Sequence, residues 1–200
     1  MKLRGLYAIT PELADSDELL RRVSLALEGG IALLQYRDKG RQDVREARAL
    51  ASLCRARGVP FIVNDDIDIA LASAADGVHL GRDDGDLKTA RSRMQDRLVG
   101  VSCYDSLAAA RSAVAAGADY VAFGSVFASP TKPSAVRAAH TLFGEARSLG
   151  VPLVAIGGIS LENAPALLKA GADALAVISD LFDAPDIAAR ARAYGKLFAT

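Results

Sequence analysis

Side chains suited to holding anions and cations fall in short clusters along the chain, each at the end of an apolar run. Gln35, Arg37 and Lys39 alternate with Tyr36 and Asp38. An extended chain puts every second side chain on one face, so an amide and two cations share one side, a set suited to an anion or a phosphorylated ligand. Asn64-Asp65-Asp66 and Arg82-Asp83-Asp84 supply carboxylates. Two carboxylates brought to about 4 Å repel by about 4 kcal/mol at an effective dielectric near 20, which a bound cation relieves. Oxygen donors beside a phosphorylated substrate suit Mg²⁺, so Asp65 and Asp84 are the metal candidates, and Asp66 and Asp83 are assigned to capping the helices that follow. Phe127-Ala128-Ser129-Pro130-Thr131-Lys132-Pro133 is the longest candidate substrate loop. Its hydroxyls and its cation suit phosphate oxygens, although as a bare string it reads equally as a turn. Ile156-Gly157-Gly158-Ile159 and Val177-Ile178-Ser179 complete the set, with glycine leaving room for backbone N–H groups to approach an anion.

These clusters need a scaffold that brings them to one place. Short β-type runs alternate with helical stretches throughout: Leu6–Thr10 before Glu18–Leu27, Leu33–Arg37 before Val44–Arg57, Phe61–Asn64 before Ile67–Ala74, and Gly77–Leu80 before Asp86–Met94. Leu98–Ser102 precedes Ser106–Ala115, Tyr120–Val126 precedes Ala139–Leu149, Leu153–Gly157 precedes Glu162–Ala170, and Ala174–Ser179 precedes Ile187–Phe198. Eight such units in 200 residues leave about 25 each, enough for a strand, a helix and two short loops, so the expected fold is α/β, one compact (β/α)8 barrel over 1–200. An open doubly wound sheet would show a glycine-rich loop after its first strand, where this chain has Thr10-Pro11-Glu12-Leu13. In a barrel the polar clusters stand at the C-terminal strand ends, where such folds place their active sites. Leu33 shares the parity of Gln35 and points inward, whereas Ala32, Leu34 and Tyr36 face the helices. Three similar joints, at Ala75-Asp76-Gly77, Ala116-Gly117-Ala118-Asp119 and Ala170-Gly171-Ala172-Asp173, lie at the opposite face and read as stability elements, with glycine stopping each helix.

Composition narrows the function. With 51% hydrophobic and 24% charged residues the chain is of globular type, and 24 Lys+Arg against 24 Asp+Glu leaves no cationic excess for nucleic acid or anionic membrane. No apolar stretch approaches the ~20 residues of a membrane span, and no secretory leader pattern opens the chain, so a cytoplasmic protein acting on small molecules is expected. Cys54 and Cys103 lack metal-binding spacing and are read as reduced packing residues. His79 is read as a packed strand residue and His140 as a helix residue far from the strand ends; no Ser-His-Asp constellation forms. A reaction driven by a metal and a leaving group fits better than one needing a strong base.

In order, Gln35-Tyr36-Arg37-Asp38-Lys39, Asn64-Asp65-Asp66, Gly77-Val78-His79-Leu80-Gly81, Gly100-Val101-Ser102, Ser129-Pro130-Thr131-Lys132 and Ile156-Gly157-Gly158-Ile159 resemble the thiamine phosphate synthase family, nearly end to end. The resemblance implies a transferase of thiamine biosynthesis on a (β/α)8 barrel. It would join a hydroxymethylpyrimidine diphosphate to a thiazole phosphate, or its carboxylated form, releasing pyrophosphate. Carried over residue by residue, Gln35, Tyr36, Arg37, Asp38, Lys39, Asn64, Ser102 and Lys132 would serve the pyrimidine diphosphate, with Arg37, Lys39 and Lys132 catalytic. Ser129, Pro130, Thr131, Gly158, Ile178 and Ser179 would meet the thiazole phosphate, and Asp65 and Asp84 would bind Mg²⁺. Tyr104 stands where many relatives have histidine, and Ser129 where threonine is common. A thiazole tautomerase on the same barrel, or a phosphate-metabolite sensor without catalysis, are the competing readings. Oligomeric state is not legible.

Overall fold

The computed structural model describes residues 3–41, 43–81, 86–128 and 137–199. Eight parallel strands, β1 (Gly5–Ile9), β2 (Leu33–Tyr36), β3 (Phe61–Asn64), β4 (Gly77–Leu80), β5 (Leu98–Tyr104), β6 (Tyr120–Phe123), β7 (Leu153–Ile156) and β8 (Ala174–Val177), close into a barrel in sequence order. Around them lie α1 (Ser16–Glu28), α2 (Val44–Ala56), α3 (Ile67–Ala72), α4 (Leu87–Met94), α5 (Leu107–Ala115), α6 (Thr141–Ala146), α7 (Ala164–Ala170), α8 (Ser179–Phe182) and α9 (Ile187–Leu197). The (β/α)8 expectation holds. The differences are local. Strands β6 and β8 end earlier than their apolar runs suggest, α6 gives way to a 3-10 turn at Arg147–Leu149, and α7 begins at Ala164, after a turn opened by Ser160. The four-residue α8 is too short to show a helical period and has no counterpart in the sequence reading.

Alternation sorts the core into two shells. Tyr7, Ile9, Leu33, Ile62, Tyr120 and Ala122 fill the barrel, while Leu6, Ala8, Leu34, Tyr36, Val121 and Phe123 pack outward against the helices. Acceptor side chains start most of the helices: Asp15, Asp43, Asp66, Asp86, Ser106 and Asp186 each take a backbone N–H of the first turn. Such caps contribute about 1 kcal/mol each. Asp66 is the cap expected of it. Helix α4, however, is capped by Asp86, and Asp83 lies outside the described residues.

At the N-terminal face one clamp occurs three times. The N–H groups of Ala75, Ala118 and Ala172 donate back to Ala70, Ala113 and Leu167 carbonyls at 2.9, 3.0 and 3.0 Å, the long backbone bond of a Schellman helix end. The next residue, Asp76, Asp119 or Asp173, then exchanges bonds with the preceding strand. Its carboxylate takes the N–H of Phe61 (2.8 Å), Val99 (2.7 Å) or Leu153 (3.0 Å), and its own N–H donates to the same residue's carbonyl at 2.8 Å in each case. Gly117 and Gly171 hold the left-handed stop at φ 97° and 113°, as expected. In the first clamp that place is taken by Ala74 at φ 54°, not by a glycine. Gly77 serves a different need there, because a Cβ on it would lie 2.4 Å from the Leu98 carbonyl oxygen.

Candidate active site

The C-terminal strand ends enclose a cavity of about 260 Å³. A wider, more open groove of about 520 Å³ lies outside the barrel, between α1 and the α8–α9 segment, and gathers no strand-end residues. Of the catalytic candidates, Arg37 and Lys39 line the enclosed cavity. Gln35, Arg37, Lys39, Asn64, Asp65 and Ser102 line it from β2, β3 and β5 and the turns after them, and Gly158, Ile178 and Ser179 from the segments that follow β7 and β8.

Each cation is held by named partners. Thr10, 1% exposed, pins the Arg37 backbone in both directions: the Arg37 N–H donates to Thr10 Oγ1 at 2.9 Å, and that hydroxyl donates to the Arg37 carbonyl at 3.3 Å. The Arg37 guanidinium pairs with Glu12 at 2.6 Å. Lys39 Nζ stands 3.8 Å from Asp65 Oδ2. Asp65 itself sits at φ 64°, and its N–H continues the β3–β4 ladder to the His79 carbonyl at 2.8 Å. Left-handed backbone at a non-glycine residue is uncommon and concentrates at functional positions.

Tyr36 and Asp38 leave the group that the contiguous string suggested. Tyr36 is buried in the outer shell against the helices, as its parity predicts, and burial pushes its hydroxyl above the ordinary tyrosine range. Asp38 accepts the N–H groups of Gly40 and Arg41, both at 2.9 Å, and pairs with the Arg41 guanidinium at 3.1 Å. Burial works against its charge, yet these donors hold its carboxyl below the usual range. Both residues therefore shape the turn after β2. Arg41 also donates to the Ala14 and Leu13 carbonyls at 3.0 and 2.6 Å, which ties that turn to the one after β1. Asp84, Ser129, Pro130, Thr131 and Lys132 lie outside the described residues. The described flanks of the β6–α6 connection meet, since the Ala138 N–H donates to the Ser125 carbonyl at 3.0 Å.

The glycine pair after β7 is required by the protein's own packing. Gly157 and Gly158 have φ 105° and 63°, and a Cβ would lie 2.2 Å from Ser125 Oγ at the first and 2.3 Å from the Ala128 carbonyl oxygen at the second. Room at Gly158 is thus room for Phe127 and Ala128 to pass close by. Asn163 fixes the same turn by donating Nδ2–H to the Gly158 carbonyl at 3.0 Å and accepting the Ser160 N–H at 2.9 Å. Asp180, next to Ser179, takes a hydrogen bond from Tyr194 (2.7 Å), an ion pair from Arg190 (2.7 Å) and the Leu161 N–H (3.3 Å). It joins the loop after β7 to α9, and no motif in the sequence marks it.

Two buried tyrosines, Tyr7 and Tyr120, also escaped the sequence reading. Gln35 Nε2 donates to Tyr7 Oη at 2.6 Å, Tyr7 and Tyr120 hydroxyls meet at 2.9 Å, Tyr120 Oη lies 3.0 Å from His79 Nδ1, and His79 Nε2 lies 2.8 Å from Ser102 Oγ. His79 is buried, as expected, yet it faces the cavity. Strand parity could have found it, because His79 alternates with the outward Val78 and Leu80. His140 corrects a second expectation. It immediately precedes α6, at the same end of the barrel as the cavity, with its ring edge-on to Phe127 at 5.2 Å. At β5 a register shift between Ser102 and Tyr104 leaves Cys103 in the outer shell and Tyr104 at φ 54° lining the cavity. Cys54 and Cys103 are buried free thiols, which burial pushes up to about 12.

Comparison with known proteins identifies the company this arrangement keeps. A family model described as thiamine monophosphate synthase matches residues 6–181. A thiamine-phosphate synthase of Aromatoleum aromaticum is 56% identical, the match covering 98% of this chain and 97% of that protein. One from an Azoarcus species is 57% identical over 99% and 98%. Among solved structures, a thiamine phosphate pyrophosphorylase from Pyrococcus furiosus superposes with a TM-score of 0.86 at 34% identity, over 99% of this chain and 96% of that one.

Proposed function

The chain belongs to the thiamine monophosphate synthase family, and from that premise we propose how its residues divide the work of making thiamine phosphate. It is a transferase acting on small molecules, and the relatives' names support neither a tautomerase nor a sensor. The observation that carries the division is that one cavity is lined by an amide and two cations from the β2 end and by glycine and serine from the β7 and β8 ends.

Gln35, Asn64 and Ser102 hold the pyrimidine, and Arg37 and Lys39, joined by Lys132, hold its diphosphate. Gly158, Ile178 and Ser179, with Ser129, Pro130 and Thr131, take the thiazole phosphate. The bond between the pyrimidine methylene carbon and the diphosphate oxygen breaks, its electron pair leaving on pyrophosphate. The aminopyrimidine delocalises the resulting cation, and the thiazole nitrogen closes the new C–N bond with its own lone pair. Arg37 and Lys39 act most strongly as negative charge gathers on the departing oxygen. No proton has to be abstracted, which agrees with a His79 whose two ring nitrogens both lie in hydrogen bonds.

The donor chemistry fits Mg²⁺. Among the described residues no three or more His, Cys, Asp or Glu side chains gather, so the protein's described share is the Asp65 carboxylate at the cavity mouth. Mg²⁺ is satisfied by one or two carboxylates with phosphate oxygens and water, and Asp84 is the second donor of the proposal. Asp65 and Asp84 would hold the ion, which would supply positive charge against the leaving diphosphate. No helix among the described residues is long and apolar enough to cross a membrane. A cytoplasmic setting belongs to the same proposal and is supported by the two free thiols.

The test supplies both phosphorylated substrates with Mg²⁺ and follows thiamine phosphate and pyrophosphate. Equimolar products are expected, abolished by EDTA and strongly reduced in Asp65→Ala. Turnover that persists in EDTA would overturn the metal assignment.

A further inference from the structure

The hydrogen bonds inside the barrel form an unbroken path from Gln35 through Tyr7, Tyr120 and His79 to Ser102. Both ends line the cavity, while Tyr7 and Tyr120 are closed off from solvent at 1% and 0% exposure. A phenol has one proton to give, and burial raises both phenols above their ordinary range, so each keeps it.

Following the protons gives the path a direction. The Gln35 amide N–H donates to Tyr7 Oη, so the Tyr7 proton goes to its other partner, Tyr120 Oη. The Tyr120 proton then goes to His79 Nδ1, which makes that nitrogen an acceptor and leaves the ring proton on Nε2. His79 Nε2–H donates to Ser102 Oγ, and the serine's own proton is left for the cavity. At the far end Gln35 Oε1, with no bond among the described residues, is left as an acceptor. An acceptor and a donor lining one cavity match an exocyclic amino group and a neighbouring ring nitrogen.

We propose that Tyr7, Tyr120 and His79 are positioning residues that fix Gln35 as an acceptor and Ser102 as a donor, and so select an aminopyrimidine over its oxo analogue. This rests on the reading that Gln35 and Ser102 meet the pyrimidine. The selectivity arises because the chain couples its two ends. With the amide locked, an oxo group would set one acceptor against another inside a closed site, and the amide could turn over only by reversing every bond along the path. A site built around a specific hydrogen bond rejects the mismatched analogue much more strongly than a merely apolar pocket does.

Tyr120→Phe retains the ring, which stacks on His79 with centroids 5.6 Å apart and meets Tyr7 edge-on at 6.0 Å, but cuts the path in the middle. Tyr7→Phe cuts it beside Gln35. The experiment measures kcat/KM for the aminopyrimidine diphosphate and for its oxo analogue in the unaltered protein and both variants. It also reads the His79 tautomer by ¹⁵N NMR in the unaltered protein. Expected are an Nε2–H tautomer, a preference for the amino substrate in the unaltered protein, a fall of about 10-fold or more in that preference in both variants, and an unchanged KM for the thiazole phosphate. A variant that slows both pyrimidines equally and keeps the preference has lost only structure, and that result overturns the proposal. An Nδ1–H tautomer overturns it as well, because the path would then run the other way. If the unaltered protein turns over neither pyrimidine, the functional reading falls and takes the selectivity with it, a failure separable from the other two by its control.

Discussion

The two ends of the barrel are made from the same eight strands but are built on opposite plans. At the N-terminal end one device recurs: a left-handed helix stop, an alanine, and an aspartate that exchanges bonds with the preceding strand at Asp76, Asp119 and Asp173. At the C-terminal end four strands finish in four different ways. One leads through Tyr36 to Arg37, one ends in asparagine before a left-handed aspartate, one in a bulge carrying Tyr104, and one runs into a glycine pair. Repetition marks a requirement that these three strand pairs share, which is to be held in register. Individuality marks requirements set from outside, by the shape and charge of what is bound.

Gly158→Val should break the comparison most, because this C-terminal residue serves both plans. A β-branched side chain at φ 63° is strained, and its Cβ would collide with the Ala128 carbonyl. A loss of about 1–3 kcal/mol of stability is expected from the backbone alone, together with a large fall in activity as the strand-six loop is displaced. Thermal melts and steady-state kinetics should fall together in this variant. Asp119→Ala should respect the comparison. It leaves the Val99 N–H without its 2.7 Å partner, at a cost of about 1–3 kcal/mol, while kcat/KM per folded molecule stays unchanged. Urea unfolding read beside activity checks both halves. Ala74→Gly should have the smallest effect and the opposite sign. Glycine occupies the equivalent place in the other two clamps without steric cost, so removing the methyl group at φ 54° should raise stability by up to about 1 kcal/mol, visible as a shift in the urea midpoint.

The N-terminal end was the more legible of the two because its signals are local. Gly117-Ala118-Asp119 and Gly171-Ala172-Asp173 state their turn chemistry within three residues, and only the alanine at position 74 departs from it. Alternation likewise placed Leu33 inward and Leu34 and Tyr36 outward. Parity also argues against including Tyr36 and Asp38 in a contiguous binding string, since they point away from Gln35, Arg37 and Lys39. What stayed hidden depends on closure of the barrel. Tyr7 and Tyr120 are 113 positions apart, and only a completed circle of strands brings their hydroxyls together. Asp180 has the same difficulty, because its partners Leu161 and Tyr194 belong to different loops and helices. His140 was misplaced for a simpler reason: α6 begins two residues later than its apolar run suggests, which moves the histidine to the end that faces the cavity.

The central claim is that binding chemistry and fold stability occupy opposite ends of this barrel, and one paired measurement tests it. Arg37→Ala and Asp119→Ala are compared for kcat/KM with the pyrimidine diphosphate and for urea midpoint in the same buffer. Arg37 loses a charged contact to phosphate, so a fall of about 10- to 150-fold in kcat/KM is expected. Its midpoint should not move, because its pairing with the half-exposed Glu12 contributes little to folding. Asp119→Ala should show the reverse, a lowered midpoint with full activity per folded molecule. A common loss of stability and activity in both variants, or normal turnover in Arg37→Ala, would contradict the account.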